Sequence, residues 1–291
     1  MTVAGTGPFG AIWRAQAGMR RARLRKSLEA VATGKVDEVS VNLEEPGVDV
    51  PEVIEELTQD FATDTLPAVR LVAALRLSGA ADGLIARMDS RSVHARVSAA
   101  RTAGALRMYD AVPYLGPLLA SRDPSVADAS ARALGKIGGA NSAEALLRAI
   151  QRRGVNRRLV AELARAAPDQ FIESAMAAPA KPGVRPALAL AAGLRRRRTA
   201  TNHLMGLVQH GGRRERIIGC RALGWIGATT AIPLIIEALA DRDWKVRIAS
   251  ARALGALRAR DAVLDLRYLQ IDRNPRVRKA ARQALRQIQG Q

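Results

Sequence analysis

The chain has 291 residues, 46 of them Lys or Arg and 27 Asp or Glu, for a net charge of +19. No apolar run approaches the roughly 20 residues that a membrane-spanning helix needs, the opening MTVAGTGPFGAIW lacks the pattern of a secretory signal, and a single cysteine cannot staple the chain to itself. The expected compartment is therefore the cytosol, and so large a positive excess calls for an anionic partner or surface.

The charge is unevenly placed. Residues 1–26 carry six basic and no acidic side chains, residues 27–69 carry Lys35 against eleven acids, and residues 70–291 carry 39 basic against 16 acidic. Residues 10–30, GAIWRAQAGMRRARLRKSLEA, read as one basic helix with Ile12, Trp13, Met19 and Leu24 as its apolar members. Such a helix either caps the remainder of the chain or lies on an anionic membrane with Trp13 at the interface. A place just after an upstream membrane anchor is a further alternative to capping. The acidic stretch behind it, including Asp37, Glu38, Glu44, Glu45 and Asp49, is expected to shield part of the basic surface. The alternative is the polar outer face that a terminal repeat needs. Residues 1–50 are thus set apart as a basic helix with an acidic lead-in, ahead of a repeat array over 51–291.

The array is visible from residues 241–255, DRDWKVRIASARALG. Stepping from Arg247 by 31 residues reaches Arg278, Arg216 and Arg185; a step of 27 reaches Arg158, steps of 31 reach Ala127 and Arg96, and a step of 26 reaches Arg70. Measured from these eight anchors, Val69, Val126, Val184, Val246 and Val277 stand one position before. Ala74, Ala100, Ala131, Ala189, Cys220 and Ala251 stand four after, and Gly104, Gly135, Gly193, Gly224 and Gly255 eight after. Offsets −1, +3, +7 and +10 share one face at about 100° per residue, so the spacing predicts an amphipathic helix. The small +4 column admits a close neighbour, and the +8 glycine is read as the helix exit, where a positive φ is expected. Pro67, Pro124, Pro182 and Pro275 fall in the first turn, with Ser92, Asp123, Asp243 and Asn274 placed to cap. A second apolar segment precedes each start, as in AVPYLGPLL (111–119), AIPLIIEAL (231–239) and AVLDLRYLQI (262–271), so each unit is two helices joined by a tight turn.

These residues resemble HEAT repeats, in the short form also found in bilin lyases. The resemblance rests on Asp64/Val69/Arg70, Asp241/Val246/Arg247 and Asp272/Val277/Arg278, and on the ALG endings at 133–135, 222–224 and 253–255. The middle units depart from the pattern: Arg158 is followed by LVAELARAAP and no glycine arrives at +8. The fold implied is all-α, a right-handed α-solenoid of about eight two-helix HEAT-like repeats, with the second helices on the concave face. The resemblance also implies that each anchor arginine pairs with the aspartate six residues earlier, forming a ladder along the stack. The family hosts scaffolds, nucleic-acid binders and a few enzymes, so the fold alone does not assign a function.

The candidate site lies at other offsets. Arg101, Arg132, Arg221 and Arg252 stand five residues after their anchors, about 140° round the helix. Offset +9 adds Lys136 and Trp225 to the same outward face. Such a basic column with an aromatic inside it suits phosphate contact and ring stacking, although an ordinary solvated helix face would carry arginines too. A secondary basic cluster is Arg195, Arg196, Arg197 and Arg198. Helix-dipole complementation accounts for part of it, but four consecutive arginines are more than capping needs.

No catalytic set, cofactor motif or metal site is expected. His94, His203 and His210 have no second ligand at i+3 or i+4, and the His-Glu pairs of iron-dependent HEAT hydroxylases do not occur. HEAT glycosylases set an acid beside tryptophans; the nearest imitation, Asp128 and Trp225, falls three repeats apart. Cys220 replaces an alanine in the small column and reads as a packed thiol. The expected function is a non-catalytic, monomeric scaffold that binds an acidic macromolecule, preferably a protein, on its basic surface. Direct nucleic-acid binding is the alternative, and a bilin lyase-type activity a weaker one.

Overall fold

The computed structural model describes residues 8–36, 43, 45–59, 65–178 and 184–290. Among these are seventeen α-helices and six 3-10 turns, with no strand. Two compact units divide the chain, residues 1–137 and 138–291. No helix among the described residues is long and apolar enough to cross a membrane.

In the first unit, the helices Ala80–Arg87 and Val112–Leu118 each precede a longer partner, Val93–Ala105 and Pro124–Ile137, and the two longer helices pack side by side. In the second unit the longer helices Arg157–Ala166, Val184–Leu194, Arg213–Ile226, Trp244–Ala256 and Pro275–Gln289 stack in sequence. The expected caps form: Ser92 accepts from the Ala95 amide, Asp123 from Ser125, Asp243 from Lys245 and Asn274 from Arg276, at 2.8–3.3 Å. Each bond satisfies one of the orphan donors at a helix start. Pro182 and Asp64 lie outside the described residues.

The +4 column is buried throughout, from Ala74 through Ala100, Ala131, Ala189 and Cys220 to Ala251. The +8 glycines do something other than end the helix. Gly104, Gly193, Gly224 and Gly255 all lie within helices without a positive φ. A Cβ on Gly104 would sit 2.6 Å from Ala133 Cα, and on Gly255 2.8 Å from Ala284 Cα. They are small because the next second helix comes this close. The left-handed residue arrives at offset +11 instead, as Gly138 and Gly227 but also as Arg107, Arg196 and Arg258, with φ of 50–52° at the arginines.

The first repeat also differs from expectation. The Arg70 helix, Leu66–Leu77, packs on Pro8–Ala32 and Ala80–Arg87, and both Val69 and Arg70 are exposed. Val50–Gln59 takes the place beside Val93–Ala105. This short helix turns Val50, Val53, Ile54 and Leu57 inward and its acids outward. The N-terminal helix Pro8–Ala32 caps through its C-terminal half, where Leu24, Leu28, Val31 and Ala32 are buried. Arg21 binds Glu52 and Glu56 at 2.8 and 2.6 Å. In its N-terminal half Ile12, Trp13 and Met19 are exposed.

Candidate functional site

The anchor arginines belong to the frame. Arg216 Nε lies 2.7 Å from Asp241 and Arg247 Nε 2.9 Å from Asp272, with a second nitrogen of each at 3.2 and 3.1 Å. Each arginine therefore reaches the aspartate of the following repeat, 25 residues on, and not the one six residues earlier. Toward its own turn it donates to main-chain carbonyls: Arg216 to Gly211, Arg247 to Asp241 and Arg278 to Asp272, at 2.8–3.1 Å. Burial alone would raise the Asp241 and Asp272 carboxyls; the arginine bonds and the amides of Asp243 and Asn274 outweigh it and hold both below the usual carboxylate range.

The +5 and +9 side chains face outward as predicted, but the two units use them differently. In the first unit, Arg101 Nη1 lies 3.0 Å from Asp49 and its Nε 3.8 Å from Glu55, while Lys136 Nζ lies 3.1 Å from Glu55. Asp49 also caps Val50–Gln59 through the Glu52 amide. Asp49 of the acidic lead-in and Glu55 of the helix that follows it thus lay two carboxylates on the basic column, and Glu55 bridges Arg101 and Lys136. Arg132 is exposed beside them. Of the other acids expected to shield, Asp37, Glu38 and Glu44 lie outside the described residues.

In the second unit, Arg221 and Arg252 are exposed, and neither meets a carboxylate among the described residues. The Arg221 guanidinium sits 5.2 Å from the Trp225 ring centroid. That ring covers Gly193, where an added Cβ would lie 2.8 Å from Trp225 Cε3. The Arg195–Arg198 cluster is not one patch. Arg197 is buried, with Nε 2.7 Å from Asp169 and Nη2 donating to the carbonyls of Ala164 and Ala167. It closes the C-terminal end of Arg157–Ala166 from another repeat, and burial pulls its pKa down against the pull of Asp169. Arg195, Arg196 and Arg198 remain exposed.

Several features were not foreseen. Trp244 lies under two cations, Lys245 Nζ at 5.3 Å and Arg276 Cζ at 5.4 Å, the second reaching from the next repeat. His203 and His210, seven apart in sequence, share one pocket with Arg185 and Asn202. No group of three or more His, Cys, Asp or Glu side chains is placed to hold a metal ion among the described residues. Cys220 is buried 3.6 Å from the Ser250 hydroxyl, and burial pushes its thiol up to about 11.

Stacked two-helix units, joined by an arginine–aspartate ladder and carrying a basic outward column, define a helical-repeat protein. The family profile for HEAT repeats matches residues 81–166 and 213–286, and the chain belongs to the HEAT-repeat family. The matched ranges omit the displaced first repeat and the irregular stretch around Arg185. No characterised protein matches the chain by sequence. Human deoxyhypusine hydroxylase in complex with glycerol is 18% identical, with 98% of this chain and 100% of that chain covered at a TM-score of 0.38. The complex of CpcE and CpcF of phycocyanin lyase from Nostoc sp. PCC7120 is 20% identical, with 82% of this chain and 94% of that chain covered at 0.28. A designed armadillo repeat protein is 14% identical, with 71% and 98% covered at 0.37.

Proposed function

We propose that this HEAT-repeat protein is a non-catalytic scaffold whose basic second-helix faces bind an acidic protein. The observation that carries this reading is the occupancy of Arg101 and Lys136 by Asp49 and Glu55. The column's own intramolecular ligands are carboxylates, the groups an acidic protein surface presents. Arg221, Trp225 and Arg252 offer the same chemistry with no carboxylate of the described residues paired to it. Direct nucleic-acid binding is the second reading, favoured by the stacked Arg221–Trp225 pair, since an aromatic face beside a cation also receives a base.

The experiment compares binding of poly-glutamate and of random duplex DNA across a salt series, for wild type and for Arg101→Ala/Arg132→Ala/Arg221→Ala/Arg252→Ala. All four side chains point away from the packed stripe, so each substitution is expected to shift stability by about 0.5 kcal/mol or less. For the acidic-protein reading, poly-glutamate binding falls in the variant and Trp225→Ala weakens it about as much as one arginine. For the DNA reading, the log–log salt slope flattens by about 0.9 per lost phosphate contact. Wild-type affinity for both polymers in the folded variant would sink both readings.

A further inference from the structure

The last repeat carries an apolar stripe that its predecessors lack. Leu264, Tyr268 and Ile271 are 75%, 75% and 78% exposed. Their spacing of i, i+4 and i+7 puts them on one side of Val263–Tyr268 and the 3-10 turn that continues it. Thirty-one residues earlier the same positions hold Pro233, Glu237 and Ala240, and in the repeat before that Asn202, Gly206 and Gln209. The repeat therefore does not require large apolar side chains there. Leaving three in water is unfavourable, and a contiguous exposed apolar patch marks a contact surface.

The stripe lines a groove of about 720 Å³ together with Ile236 and Leu239 of the preceding repeat. Arg247 and Asp272, which also line it, bind each other, and Asp241 is held by Arg216. The rim is basic. Arg242 and Arg273 line the groove and Arg267 stands on the stripe's own helix; all three are exposed and none forms a salt bridge among the described residues, although Arg242 and Arg273 feel the charges of the neighbouring Asp241 and Asp272. Among those residues, Asp265 is the one acid facing the groove that the ladder does not use.

We propose that this groove docks an amphipathic helix of another protein. The partner helix sets apolar residues at i, i+4 and i+7 against Leu264, Tyr268 and Ile271, with acidic residues on its flanks against Arg242, Arg267 and Arg273. The apolar stripe selects the helical spacing, and the rim selects the charge. A second copy of this chain is disfavoured as the occupant, because it would bring the same exposed arginines of a +19 protein against each other.

The test pans the full chain against a phage-displayed library of helix-forming peptides, and measures the enriched peptides by fluorescence anisotropy. The expected peptides carry an apolar i, i+4, i+7 triad flanked by Asp or Glu. They bind Leu264→Ser/Tyr268→Ala/Ile271→Ser at least about tenfold more weakly than wild type, and Arg242→Glu/Arg273→Glu likewise. Arg221→Ala/Arg252→Ala leaves them unaffected, which separates this groove from the basic column. The triple variant keeps the wild-type melt, since none of the three side chains is packed. Failure to enrich any helix, peptides indifferent to the triple variant, or peptides with basic flanks would each overturn the proposal. So would sedimentation that finds a wild-type dimer which the triple variant dissolves, because the occupant would then be a second copy.

Discussion

Arg247 donates to the carboxylate of Asp272 in the following repeat, at 2.9 Å, and to the main-chain carbonyl of Asp241 in its own, at 2.8 Å. One guanidinium thus ties a turn to itself and to its neighbour. Nearest-neighbour contacts are the whole of a repeat protein's cohesion, so the ladder is a stability element in the last three repeats. The pair is also nearly dry, with 9% and 11% of the two side chains exposed.

Arg247→Met should therefore lower stability by about 3 kcal/mol, because it leaves Asp272 buried without its partner. The pH dependence has a definite sign. The folded Asp241 and Asp272 carboxyls lie below their ordinary value, so the ladder's contribution is complete above about pH 4 and is lost as pH falls through the folded pKa. Thermal melts between neutral and acid pH check this; a variant whose acid limb matches wild type would count against the ladder.

Gly255→Val should lower the melting temperature by several degrees, the result of about 1–3 kcal/mol of overpacking. The cause is the 2.8 Å approach of a new Cβ to Ala284 Cα. Gly227→Ala meets nothing within 4 Å but must adopt a φ of +75°, at a cost of about 1 kcal/mol. A Gly255→Val melt equal to wild type would show that helix contact is not what position 255 serves.

Cys220→Ala should leave both binding and melting nearly unchanged, since alanine fills this column in five of the other repeats. The native thiol should label slowly with a small thiol reagent at neutral pH, being buried and titrating near 11. The unfolded thiol ionises near 9, so raising pH from 9 toward 11 draws the chain toward the unfolded state. Rapid labelling of folded protein would contradict this placement.

Asp49→Asn/Glu55→Gln should increase heparin retention, by releasing Arg101 and Lys136 for an external anion. Asparagine still caps the helix at Val50, so the melt should change little. Retention equal to wild type would show that these carboxylates do not compete with outside ligands.

Much of this architecture is periodic or local, and to that extent the linear sequence determines it. Ser92, Asp123, Asp243 and Asn274 cap because each bonds an amide two or three residues away. The buried run from Ala100 to Cys220 and Ala251 follows from helical spacing counted from one anchor. The outward direction of Arg132, Arg221 and Arg252 follows from the same count. What an outward or inward side chain meets is a separate matter, because its partner belongs to another helix. Arg247 and Asp272 are 25 residues apart, Arg101 and Asp49 are 52, and Arg197 and Ala164 are 33. Only the stacking of helices chose the next repeat's aspartate for Arg247, drew Arg197 out of a surface cluster, and set Val50–Gln59 where the Arg70 helix was expected. The left-handed exit falls at Arg258 and not at Gly255 for the same reason. Glycine at 255 answers to the neighbouring helix, and the chain turns where that packing ends.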